Sequence, residues 1–81
     1  MIIVATDANG EDLKTLVKCL NAVFPGQQIE AFQDPLMAIK FFYSNPVDAL
    51  FAAADMPRVN GFELSRIMGS RRGKMATCII G

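Results

Sequence analysis

Asp48-Ala-Leu-Phe-Ala-Ala-Ala-Asp-Met-Pro-Arg-Val-Asn-Gly61 is the stretch whose reading decides the fold. Ala49 to Ala54 is a short apolar run with a charge on each side, the pattern of a strand covered on both faces in a parallel sheet. Met56-Pro57 ends the run, because proline has no N–H for a ladder and fixes its own φ. Asn60, with Glu63 three residues on, is a capping-box variant that starts the next helix. A buried strand that turns into a capped helix is half of a βαβ unit, and the flanking sequence supplies the rest.

Upstream, Met1 to Thr6 is apolar and β-branched and predicts a first strand, followed by the turn cluster Asp7-Ala-Asn-Gly10, which can cap a helix. From Glu11 to Val23, Leu13, Leu16, Val17 and Leu20 keep the helical i, i+3, i+4, i+7 spacing, with Lys14 and Lys18 outward and acids in the first turn. Phe24-Pro-Gly26 stops that helix, and Gln28 to Phe32 alternates like a strand with one wetter face. Asp34-Pro35 gives a cap and a proline at the first helical position, predicting a second helix over Leu36 to Tyr43 that Ser44-Asn-Pro46 closes.

Downstream, a third helix is predicted from Phe62 to Gly69, with Phe62, Leu64 and Ile67 inward. Ser70-Arg-Arg-Gly-Lys74 reads as a polar loop and Met75 to Ile80 as a fourth strand, before Gly81. Strand and helix alternate throughout, so the expectation is α/β: a flavodoxin-like, mostly parallel sheet in the order 2-1-3-4 with three helices. A last strand without its own covering helix predicts a domain incomplete at the C-terminus, or a second copy that covers the gap.

Eighty-one residues make one domain, over 1–81, which buries only about 60% of its unfolded surface. At 52% hydrophobic the chain is rich for that size and is expected to present faces that want a partner. Eight basic residues balance eight acidic ones, so global charge gives no reason to invoke nucleic acid or a membrane. The absence of histidine, and the wide separation of Cys19 and Cys78, exclude the usual zinc frameworks and histidine-based catalysis. The two thiols are expected to be reduced and buried, in a cytoplasmic protein. The N-terminal apolar run has no basic flank and is too short for a signal peptide or a membrane span.

An apolar strand entered by Asp48, followed by Met56-Pro57, two residues and Asn60-Gly61, resembles the third strand and following loop of response-regulator receiver (CheY-like) domains. Phe32-Gln-Asp-Pro35 and Asn45-Pro-Val-Asp48 support the likeness. The resemblance implies a crevice at the carboxyl ends of the strands, made by Asp7, Ala8, Ala53 to Asp55 and Gly81. In that family an aspartate four residues before the proline accepts a phosphoryl group; here that position is Ala53, which has no oxygen to phosphorylate. A carboxylate pair after the first strand holds Mg²⁺, which neutralises charge on the transferring group. The pair falls on Asp7 and Ala8, or in the register one residue earlier on Thr6 and Asp7, and one acid is lost either way. The small hydroxyl residue after the fourth strand is replaced by Gly81 or lies beyond it.

Ala8, Ala53, Met56, Pro57 and Gly81 are therefore read as a vestigial site without a catalytic residue, and no enzymatic activity is expected. Asp55 is a solvated loop acid, a partner of Asp7 in a weak Mg²⁺ site, or a substitute phosphoacceptor; the last suffers because in-line transfer needs the oxygen where Ala53 points. No cofactor is expected beyond that weak Mg²⁺.

The resemblance implies a degenerate receiver domain of a two-component response regulator, acting in signal transduction or transcription regulation through protein contacts. Its partners are then a second copy in a homodimer, another signalling protein, or a DNA-binding effector domain of a longer chain, with no membrane. The alternatives are a crevice that binds a small molecule, or a receiver still weakly phosphorylated at Asp7 or Asp55. Arg66, Arg71, Arg72 and Lys74 read as solvated surface rather than a phosphate or nucleic-acid patch. Met37, Phe41, Phe42 and Tyr43 are wider than one apolar stripe needs, so part of that helix is expected to be a contact surface. Gly26, Gly61 and Gly69 are expected as turn, first-turn and helix-end residues.

Overall fold

A computed structural model describes residues 1–72 and 75–81, without the side chains of 70–72. The elements are β1 (Ile2–Thr6), α1 (Gly10–Val23), β2 (Gln28–Phe32), α2 (Pro35–Ser44), β3 (Ala49–Ala53), α3 (Gly61–Arg72) and β4 (Ala76–Ile80). The strands form one parallel sheet in the order β2-β1-β3-β4, as the alternation predicts.

The order reverses at β1, because the chain leaves it toward β2 and then crosses back to β3. Connections of one hand therefore place α1 on one face of the sheet and α2 and α3 on the other. Side-chain alternation along the strands fills both layers. Ile3, Ala5 and Ala49 meet Leu13 and Leu20 of α1, while Val4, Leu50 and Ala52 meet Ala38 and Phe42 of α2 and Leu64 and Met68 of α3. The central strands are thus apolar on both faces, and β2 and β4 lie at the edges.

Each helix begins where the sequence places a cap. Asn9 Oδ1 accepts from the N–H of Glu11 (3.0 Å) and Asp12 (3.1 Å), Asp34 Oδ1 from Leu36 (2.9 Å), and Asn60 Oδ1 from Glu63 (2.9 Å). Each bond satisfies a backbone donor that has no intrahelical partner. Gly26, with φ of 81°, takes the left-handed turn after Phe24-Pro25 that only glycine adopts cheaply. Asp48 fastens the start of the sheet: its Oδ2 accepts the Ile2 N–H at 2.8 Å, and its own N–H donates to Ile2 O at 2.9 Å.

Four expectations are corrected. Cys19 and Cys78 are free but exposed, Cys19 on α1 beside the strand ends and Cys78 on an edge strand of the described sheet. The third helix runs on through 70–72, so Gly69 lies inside it rather than at its end. Its buried residues are Leu64 and Met68, four apart on one face, whereas Phe62 is 64% exposed and Ile67 half-buried. Arg71 and Arg72 accordingly belong to the helix rather than a loop; Gly73 and Lys74 fall outside the described residues. On α2 the aromatic cluster divides: Phe42 is in the core, Phe41 packs against it, and Met37 and Tyr43 face solvent.

Candidate functional site

A crevice of about 580 Å³ opens at the carboxyl ends of the strands, beside the point where the strand order reverses. Asp7 and Ala8 enter it from the end of β1, Ala53 and Asp55 from the end of β3, and Ile80 and Gly81 from the end of β4. Asn9, Asp12, Thr15, Leu16 and Cys19 close it along α1. Asp12, Leu16 and Cys19 recur at i, i+4, i+7, so the α1 wall was present in the sequence as a helical stripe, overlooked because its members differ in polarity.

The β1 end divides between the two layers. Asp7 and Ala8 line the crevice, whereas Thr6 is fully buried and its Oγ1 lies 3.8 Å from Met56 Sδ, under the loop that follows β3. The Asp7 carboxylate is already engaged, since its Oδ1 accepts the Asn9 N–H at 2.9 Å, an Asx turn that leads the chain into α1. Met56 and Pro57, read from the sequence with the vestigial site, do not line the crevice: Met56 points into the core and Pro57 faces solvent.

The loop from β3 to α3 is held by a close approach. Gly61 donates its N–H to Ala54 O at 3.2 Å, and a β-carbon on it would strike the carbonyl oxygen of Ala53. Its role is thus to let α3 abut the end of β3, beyond the first-turn role that the sequence suggests. Arg58 carries a φ of 71° at the tip of the loop, and its guanidinium lies 3.6 Å from the Asp34 carboxylate. That pair is exposed and contributes roughly 0–1 kcal/mol.

Three carboxylates, of Asp7, Asp12 and Asp55, line the crevice, and among the described residues no lysine or arginine does. Among the described residues, however, no three histidine, cysteine or acidic side chains stand close enough together to hold a metal ion. Asp7 and Asp55 offer Mg²⁺ two carboxylates, one of them sharing an oxygen with Asn9, so water would complete the octahedron and the fit is a loose one. Ala53, the last residue of β3, presents a methyl group.

No family model and no curated protein sequence matches the chain. Solved structures match it over nearly its whole length. A two-component transcriptional regulator AraC from Clostridium phytofermentans superposes with a TM-score of 0.86 at 21% identity, covering 98% of this chain and 64% of that one. A response regulator receiver domain protein from Clostridium thermocellum gives 0.81 at 20% identity, over 96% and 62%. The receiver domain of the sensor histidine kinase PA1611 from Pseudomonas aeruginosa, which holds a magnesium ion in its active-site cleft, gives 0.71 at 16% identity, over 94% and 64%. The chain spans less than two thirds of the length of each. Its sheet order, its three helices and these superpositions give it the flavodoxin-like fold of response-regulator receiver domains.

Proposed function

We propose that this chain is a degenerate receiver domain, a non-enzymatic module of two-component signalling that works in the cytoplasm through protein contacts rather than phosphoryl transfer. The observation that carries the reading is Ala53. It ends β3, lines the crevice and has no nucleophile, while Ala8 leaves Asp7 without an adjacent acid. Phosphoryl transfer is mostly positioning and charge stabilisation, and neither compensates for an absent attacking oxygen. Control then passes to self-association or to contact with another signalling protein, with a DNA-binding effector as a further partner where one is attached.

Incubation with acetyl phosphate and Mg²⁺, followed by intact-mass measurement, tests the reading. The expected spectrum is that of the unmodified chain. Addition of one phosphoryl group would refute it, and loss of the addition in Asp7→Asn or Asp55→Asn would identify the acceptor.

A second reading is favoured by the lining of the crevice. Ala8, Leu16, Ala53 and Ile80 make much of its wall apolar, and its volume is in the range of small-molecule sites. A ligand of that site would raise the melting temperature by mass action on the folded state.

A further inference from the structure

The two flanks of α1 open onto different surfaces. Asp12, Leu16 and Cys19 border the crevice at the strand ends, whereas Leu13, Lys14, Val17 and Lys18 border a second groove, of about 540 Å³. Its other wall is Ala31 of β2 and Gln33 just beyond that strand. β2 is an edge of the sheet, and in the full flavodoxin-like order 2-1-3-4-5 a further strand joins β4 and leaves β2 there. The direction of its backbone groups follows from two bonds to the β1 side: the Gln28 N–H donates to Met1 O at 3.2 Å, and Phe32 O accepts from the Asp7 N–H at 3.3 Å. In a parallel ladder alternate residues turn their backbone groups to the same neighbour. Gln28, Glu30 and Phe32 therefore face β1, and Ile29 and Ala31 turn their N–H and C=O groups outward. The side chains of these two lie on the α1 face, where Ile29 packs on the cluster of Leu13 and Leu20 and Ala31 lines the groove.

We propose that this edge takes an extended segment of an acidic partner protein, which adds to β2 as a further strand and lays alternate side chains into the groove. The proposal rests on the reading that the chain works through protein contacts, and names one such surface. Main-chain bonds to Ile29 and Ala31 hold the segment, and the side chains at every second position select it. Segment residues beside Ile29 and Ala31 point to the α1 face, so an apolar one covers Leu13 and Val17, and a carboxylate two residues away meets Lys14 and Lys18. Those two lysines stand one helical turn apart, both exposed, and among the described residues neither is in an ion pair. Glu11 also borders the groove, in the first turn of α1, and the two lysines outweigh it. A second copy of this chain fits less well. The antiparallel register that pairs all the outward groups sets Glu30 against Glu30 as a non-hydrogen-bonded pair, about 4.5 Å between α-carbons, where like charges repel.

The test uses the whole chain and a short fluorescein-labelled peptide, with threonine at odd positions and valine and glutamate alternating at even ones. Fluorescence anisotropy should show saturable binding that weakens as salt is raised. Ala31→Pro removes an outward N–H without touching the β1 ladder, and should weaken binding about three- to tenfold with melting unchanged. Should proline disturb folding, residue-resolved hydrogen exchange reads the same bonds in the parent, where the amides of Ile29 and Ala31 should gain protection on adding peptide. Lys14→Glu combined with Lys18→Glu should lose the glutamate peptide and gain its lysine counterpart. Absence of saturable binding, binding that leaves the Ile29 and Ala31 amides unprotected, or no exchange of preference in the double variant would overturn the proposal. So would a dimer by light scattering that Ala31→Pro dissociates, which would put a second copy on the edge. A phosphoryl group added by acetyl phosphate would refute the reading above and leaves the peptide titration to decide this surface, so the two fail separately.

Discussion

Gly61 and Gly69 belong to one helix, yet the structure assigns them opposite responses to alanine. A β-carbon at Gly61 would meet the Ala53 carbonyl oxygen head-on, and would lie 2.9 Å from the carbonyl carbon of Ala53 and 3.3 Å from the α-carbon of Ala54. All three are backbone atoms, so no side chain can swing away, and relief requires α3 to back off the end of β3. Forcing one methyl into such a contact costs about 1–3 kcal/mol, against a helix-propensity gain of at most about 1 kcal/mol. Taking about 2 kcal/mol for the contact, the middle of that range, the net loss is at least about 1 kcal/mol. In a domain of this size about 1 kcal/mol moves the melting temperature by roughly 4–8 °C, so Gly61→Ala should melt lower by at least that much.

At Gly69 the same β-carbon finds nothing within 4 Å among the described residues, and the residue lies inside α3 without a positive φ. Gly69→Ala should therefore stabilise by about 0.5–1 kcal/mol. Thermal melts followed by circular dichroism, with urea titrations to confirm that the slope is unchanged, measure both. A neutral or stabilising Gly61→Ala would refute the close approach. A destabilising Gly69→Ala would mean that α3 ends there, as the sequence alone suggests.

Two phenylalanines give a second contrast: Phe42→Ala, in the core of the larger layer, should cost about 3–5 kcal/mol and leave little folded protein, while Phe62→Ala, 64% exposed, should stay within about 0.5 kcal/mol in the same melts. Ala53→Asp adds a carboxylate to a crevice lined, among the described residues, by three others and no basic side chain, so its melting temperature should fall in EDTA and recover in Mg²⁺; equal melting of variant and parent in EDTA would refute the assignment of that side chain to the crevice.

The strand-helix alternation and the sheet order were legible because the local signals agree. The caps at Asn9, Asp34 and Asn60 each stand before an apolar periodic run, and β1 and β3 are apolar on both faces because helices cover both. Gly61 as a first-turn residue was legible, but its contact with Ala53 was not, since close approach between residues eight apart leaves no mark on the pattern. The inner face of α3 was misplaced because Phe62 outweighs Met68 in any count of hydrophobicity, although Leu64 and Met68 have the i, i+4 spacing. The thiols were misjudged for a different reason: cysteine is buried on average, and only the topology reveals that Cys78 stands on an edge. In the crevice, Asp7, Ala8, Ala53, Asp55 and Gly81 were found from strand ends, while the α1 wall required knowing which side of that helix faces the sheet.

The two alanines of the crevice act on one another's consequences. Carboxylates crowded at strand ends repel, by roughly 4 kcal/mol for unit charges 4 Å apart at an effective dielectric near 20, and a divalent cation is what makes such crowding tolerable. With Ala8 and Ala53 in place, the remaining acids, of Asp7, Asp12 and Asp55, come from three separate segments, and one of them is tied to the Asn9 N–H. On the proposed reading, the residue that removes the phosphoacceptor thus also removes the need for the ion, and the crevice can keep its largely apolar lining without either. On the same reading, a domain relieved of both has no chemical event at its strand ends with which to change shape. On that reading the signal is carried by which surface of the domain a partner occupies.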